Sequence, residues 1–224
     1  MVVTGRTAVS RGPRLPAASR RRQLLDVALE TFAQSGLDAT TMDDIAHAAG
    51  VTKPLLYQHF RSKRALFLEL LDDVVVRIIE VLTAAAESAP GPRQQVEAGF
   101  SAYFGFVLHN ESAIRLLLDS MLPHDVELAK AMRRVNDTIE TAIAPLIHAD
   151  IDPQHQRVLA AAVVGMAEGV TRDWLRSASG RTSSRSGDAL TAEAELLANR
   201  VAEFAWAGLR LVHRESRPGP TTVA

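Results

Sequence analysis

The feature that most constrains this chain is the junction Gly50-Val51-Thr52, where one short helix must stop and another begin with a single residue between them. Upstream, Thr41 precedes Met42-Asp43-Asp44, so its hydroxyl can cap the free amides of a first turn while the two aspartates favour the positive helix end. That helix ends at Gly50, the residue type best able to take a left-handed stop. Thr52 is a second N-cap, and Pro54 is tolerated because first-turn amides have no intrahelical partner. The following helix runs to about Phe60. Two short helices joined by a tight glycine-containing turn form a helix-turn-helix, whose second member can enter the DNA major groove. Ala46, Ala49 and Gly50 are small enough to let the pair pack closely.

The rest of the chain reads as helix. Leu24, Leu25, Ala28, Leu29 and Phe32 share one stripe, and Gly36 sits where a C-terminal stop belongs, predicting a first helix over about 19–35. Ser62 caps a long helix starting at Lys63, in which Leu66, Leu70, Val74, Ile78 and Leu82 recur at every fourth residue until Pro90-Gly91-Pro92 breaks it. Further helices are expected near 93–109, 111–120, 124–147, 153–178 and 188–214, with Pro123, Pro145 and Pro153 marking starts, kinks or ends. No strand-like alternation of useful length occurs. The expected fold is all-α, a three-helix helix-turn-helix domain over 19–66 joined by a long helix to a helical body over 67–215. A basic arm over 1–18 and a tail over 216–224 are expected to be flexible, and Ser177 to Asp188 to form a mobile loop.

Charge supports a polyanion partner at the N-terminal end. The formal net charge is −1, yet residues 1–64 carry ten Lys/Arg against five Asp/Glu, and the remainder fifteen against twenty-one. Phosphate binding depends on local charge rather than on the chain average. The longest apolar run, Val158 to Ala167, is ten residues, too short to span a membrane, and the arginine-bearing first 22 residues lack the apolar core of a secretory signal. With no cysteine, disulfides and thiolate chemistry are excluded, and the cytoplasm is the expected compartment. The P-loop, G-x-G-x-x-G, G-x-S-x-G and H-E-x-x-H motifs are all missing, and the seven histidines are scattered. Neither an enzyme, a cofactor nor a metal is therefore expected. The rivals to DNA binding are an enzyme whose site is assembled only in three dimensions and a helical protein adaptor, the latter of which would show no salt-dependent DNA affinity.

Over residues 20–66 the sequence resembles the TetR family of transcriptional regulators. The likeness rests on Leu56-Tyr57-x-His59-Phe60-x-x-Lys63-x-x-Leu66, preceded at the family spacing by Thr40-Thr41-Met42-Asp43-Asp44-Ile45-Ala46 and Ala49-Gly50-Val51. The resemblance implies that Thr52, Lys53, Pro54 and Tyr57 occupy the exposed side of the recognition helix, with Lys53 donating to a base edge. It also implies that Thr41, Tyr57, His59 and Lys63 hold phosphates, and that Leu56, Phe60 and Leu66 are core.

Beyond residue 66 the likeness is one of helical pattern. Phe100, Tyr103, Phe104 and Val107 make a buried helical stripe. The family resemblance implies that part of this stripe lines a cavity for a hydrophobic effector, with Leu117, Met121, Met132 and Met166 as further candidates. It also implies a homodimer through the helices near 153–178 and 188–214, which are rich in small and apolar residues such as Gly165, Gly169, Phe204 and Gly208. Such a twofold dimer would set two recognition helices against a palindromic operator, released when effector binds.

Overall fold

The computed structural model describes residues 17–119, 126–147, 151–179 and 187–215. These form α1 (Ala17–Ala39), α2 (Met42–Ala48), α3 (Lys53–His59), α4 (Lys63–Glu87), α5 (Pro92–His109), α6 (Glu111–Asp119), α7 (Val126–Ile143), α8 (Pro153–Ser179) and α9 (Gly187–Glu215), with a single 3₁₀ turn over Ala144–Leu146. The described residues contain no strand. The chain divides into two compact units, the division falling between Phe67 and Leu68, inside α4.

In the first unit the helical stripe of α1 is core: Leu24, Ala28 and Phe32 are fully buried, and Phe32 meets the edge of Phe67 at 5.2 Å between ring centroids. Gly36 interrupts α1 with φ 77 and ψ 167, so the stop expected there exists, although helical turns resume to Ala39. At the other end the helix begins at Ala17, two residues inside the arm expected over 1–18. Residues 1–16, the remainder of the expected arm, and 216–224, the expected tail, lie outside the described residues.

The junction between α2 and α3 closes as a Schellman motif. Gly50, at φ 63, donates its amide to His47 O at 3.0 Å, and Val51 donates to Ala46 O at 2.9 Å, satisfying two carbonyls that the helix end would leave open. Leu56 and Phe60 seal α3 against the unit and are 0 % and 2 % exposed, as a core role requires, and Leu66 at the start of α4 is also fully buried.

In the second unit, α5 packs along α9 and α8, and α8 is flanked in turn by α6 and α7. Ala144, Ile147, Ala160 and Leu209 form one buried cluster, with Val96, Val163 and Trp206 packed against it. The helix expected over 124–147 stops at Ile143, because Pro145 has no amide to donate and its ring opposes a fourth preceding carbonyl, so the chain tightens into the 3₁₀ turn. The loop expected over 177–188 is shorter than the Ser, Arg and Gly content suggests: α8 continues to Ser179, α9 starts at Gly187, and 180–186 are outside the described residues.

Gly50 has open space where a side chain would project, so a substitution there is penalised by backbone conformation alone. Gly50→Ala is expected to lower stability by about 1 kcal/mol, read from the urea unfolding midpoint.

Candidate nucleic-acid interface and effector cavity

The exposed side of α3 carries Thr52, Lys53, Pro54 and Tyr57, all exposed, with Tyr57 at 43 %. Thr52 occupies the N-cap position of α3 without making a side-chain cap bond, which leaves its hydroxyl available. Pro54 sits in the first turn, where its missing amide removes no helical bond. Lys53 is paired with Asp43 of α2, Nζ to Oδ2 at 2.7 Å, and that hydrogen bond and charge hold the ammonium's pKa above its ordinary value. Both partners are exposed, so the pair is weak and a base-edge or phosphate acceptor can replace Asp43.

Thr41 is engaged in a full capping box. Its Oγ1 accepts from the Asp44 amide at 3.1 Å and donates to Asp44 Oδ2 at 2.7 Å, and its own amide donates to the same carboxylate at 2.9 Å. These bonds hold the Asp44 carboxyl below its ordinary pKa. A phosphate contact from Thr41 would have to replace the bond its hydroxyl donates. His59 is half-buried at the last turn of α3, and its carbonyl accepts from Arg21 at 2.8 Å. The Arg21 guanidinium also lies over the Phe60 ring, 4.5 Å from the centroid, so it fastens the C-terminal end of α3 to α1.

Lys63 is bonded to the protein's own backbone at the start of α4. Its Nζ donates to three backbone carbonyls, Leu37 O at 2.7 Å, Asp38 O at 3.0 Å and Thr40 O at 2.7 Å, which are left open where α1 breaks at Gly36. An ammonium has three protons, and all three are used. Spacing alone shows that a cation opens α4; it does not show that carbonyls 23 to 26 residues earlier surround it. The bonds of Arg21 to the His59 carbonyl and of Asp43 to Lys53 escaped the sequence for the same reason, since both depend on tertiary proximity.

A cavity of about 120 Å³ lies in the second unit. Its walls include Ile78, Leu82 and Ala86 of α4, Phe100 and Tyr103 of α5, and Leu117 of α6. The walls also include Ile139 and Ile143 of α7, Val163, Val164, Ala167 and Glu168 of α8, and Leu209 of α9. Three of the eight expected lining residues, Phe100, Tyr103 and Leu117, are therefore on the wall. Phe104, Val107, Met132 and Met166 are not, and Met121 lies outside the described residues.

The misses have geometric causes. At roughly 100° per residue, Phe104 is rotated about 110° from the centre of the α5 lining face, and it meets Trp174 instead at 6.1 Å between ring centroids. Met166 is turned off the α8 face by about 130° in the same way. Val107 and Met132 face correctly but lie beyond the lining stretches of α5 and α7, and both are buried core. A stripe of i, i+3, i+4 and i+7 positions identifies the buried side of a helix, not which part of that side borders a void.

If Lys63 is a scaffold, Lys63→Met is expected to cost about 1–3 kcal/mol of stability by leaving its carbonyls unpaired, whereas Lys53→Met should change it by less than about 0.5 kcal/mol. Urea unfolding of the two variants separates these cases; unchanged stability in Lys63→Met would return Lys63 to the phosphate-contact role.

Comparison with known proteins places this geometry. Residues 24–70 match the family of bacterial regulatory proteins, tetR family. The transcriptional activator FasR of Mycolicibacterium smegmatis is 33% identical over 169 residues, 75% of this chain and 77% of that protein. The repressor KstR2 of the same organism is 34% identical over 102 residues, 46% of this chain and 50% of its own length. Among solved structures, a TetR-like regulator from Rhodococcus sp. RHA1 is 29% identical with a TM-score of 0.61, covering 84% of this chain and 97% of that one. FadR of Bacillus subtilis, solved in complex with stearoyl-CoA, shares the fold at a TM-score of 0.69 and 16% identity, covering 84% and 98%. These named relatives are regulators of transcription rather than enzymes, and this chain belongs to the TetR family of DNA-binding transcriptional regulators.

Proposed function

We propose that the chain is a dimeric repressor that binds a palindromic operator through α3 and releases it when a hydrophobic molecule fills the cavity of the second unit. The observation that carries the DNA-binding half is the outward face of α3, where Thr52, Lys53, Pro54 and Tyr57 are all exposed while Leu56 and Phe60 anchor the opposite side. Base-edge contact then comes from Lys53 and phosphate contact from Thr52, Tyr57 and His59. Lys63 adds positive charge from its fixed position, and Thr41 shapes the start of α2.

The dimer reading is supported by unpartnered apolar surface on the last two helices. On α8, Val158, Ala162, Gly165 and Gly169 form an exposed row at helical spacing, with Val158 60 % exposed. On α9, Leu196, Phe204, Ala207 and Gly208 are exposed, Phe204 at 71 %. A single exposed apolar residue is ordinary, but rows of them on adjacent helices are what a self-complementary interface requires. The opposite sides of the same helices, including Ala160, Val164, Ala198 and Val201, are buried within the chain.

The ligand reading is supported by the apolar lining, and FadR's stearoyl-CoA shows that this fold can hold a long acyl compound. Ile78, Leu82 and Ala86 put α4 on the cavity wall, and the same helix begins at Lys63 in the DNA-binding unit. A ligand that prefers one position of α4 shifts the population between operator-binding and released dimers, to the extent of its differential affinity. The match to the activator FasR favours a second reading in which operator occupancy raises transcription; a promoter reporter carrying the operator gives the sign.

Nuclease footprinting on DNA flanking the gene tests the proposal. The wild type is expected to protect two inverted half-sites about one helical turn apart, or a multiple of it, while Phe204→Glu sediments as a monomer and loses protection. Protection by a monomer on a single asymmetric site would contradict it.

A further inference from the structure

The cavity wall is apolar except at Gln95, Tyr103 and Glu168. Tyr103 and Glu168 share one end of it. The Tyr103 hydroxyl accepts a hydrogen bond from the fully buried Thr171 at 3.2 Å, and Thr171 follows Glu168 by three residues, one turn along α8. Glu168 also acts electrostatically on Tyr103, whose pKa is pushed up to about 12, chiefly by burial. Gln95 stands eight residues before Tyr103 on α5, about 12 Å along the helix, with Val96, Gly99 and Phe100 between them on the wall. The cavity is therefore a slot with an amide at one end and a hydroxyl and carboxyl at the other.

The carboxyl end is incomplete. Among the described residues Glu168 makes no side-chain hydrogen bond or ion pair, and burial holds its pKa above the ordinary value, against the charge of Arg172 one turn on and with that of Glu140 on α7. Tyr103, having accepted from Thr171, keeps its own proton to donate. A half-buried acceptor and a half-buried donor on an otherwise apolar wall favour a ligand that matches both. A ligand hydroxyl satisfies both, donating to Glu168 and accepting from Tyr103; a ligand carboxylate meets like charge.

We infer that the effector is an uncharged amphiphile, an apolar chain ending in a hydroxyl or a comparable neutral donor and acceptor group, oriented with that group at Tyr103 and Glu168, and that free carboxylic acids of the same chain are rejected there. This deepens the proposed ligand role of the cavity and rests on it.

Isothermal titration of the full chain at neutral pH with 1-decanol and with decanoate, each below its aggregation limit, tests the inference in the wild type and in Glu168→Gln, with circular dichroism confirming the variant's fold. The wild type is expected to bind 1-decanol at least about tenfold tighter than decanoate. In Glu168→Gln, which keeps the shape and removes the charge, the two are expected to fall within about threefold, mainly through tighter decanoate binding. Equal or tighter binding of decanoate by the wild type, or an unchanged ratio in the folded variant, would overturn the ligand class while leaving the cavity a ligand site. Binding of neither compound to the wild type would overturn the ligand reading of the cavity itself, and the class with it.

Discussion

The ammonium of Lys63 closes the DNA-binding unit. Gly36 breaks α1 and leaves the carbonyls of Leu37, Asp38 and Thr40 without helical partners, and Lys63 takes all three while opening α4. Two of these bonds are part-buried and charge-assisted, so the three together tie the start of α4 to the end of α1. Phe67, one turn further, then meets Phe32 edge-on, and Leu66 is buried beside it. With α1 and α4 fixed, α3 is held at its C-terminal end by Arg21, through the His59 carbonyl and the Phe60 ring, and at its N-terminal end by the Schellman turn at Gly50. Several residues of the motif act on the scaffold, and by doing so they leave Thr52, Lys53 and Tyr57 facing outward.

The second unit solves a different problem. Its helices are apolar enough to fill a core, yet they enclose a slot whose one polar end lacks a complete set of bonds. Its last two helices also keep apolar rows outside that core. A cavity and an uncovered face both cost stability in an isolated chain; bound ligand and a second copy would recover it. That economy connects the ligand and the dimer in the proposed function.

Much of this was legible in the sequence because it depends on neighbours along the chain. The cap at Thr41, the helix start after Thr52, the stops at Gly36 and Gly50, the break at Pro90 to Pro92 and the core positions Leu56, Phe60 and Leu66 all follow from local spacing. The bonding of Lys63, Arg21 and Asp43 was not legible, because each reaches a partner ten or more residues away. The cavity was legible only in part. Phe100, Tyr103 and Leu117 were found because buried stripes are periodic, whereas Glu168 was missed because a carboxylate on a helix reads as solvent-facing until the neighbouring helices are in place.

The most direct test of the account is fluorescence-anisotropy binding across a salt series, using the promoter duplex and a scrambled duplex, for the wild type and for Lys53→Ala with Tyr57→Ala. If the outward face of α3 reads the operator, the wild type binds the promoter duplex far more tightly than the scrambled one, its affinity falls steeply with salt, and the double variant loses most of the preference. Equal affinity for both duplexes in the wild type, or a preference that survives the double substitution, would contradict the account.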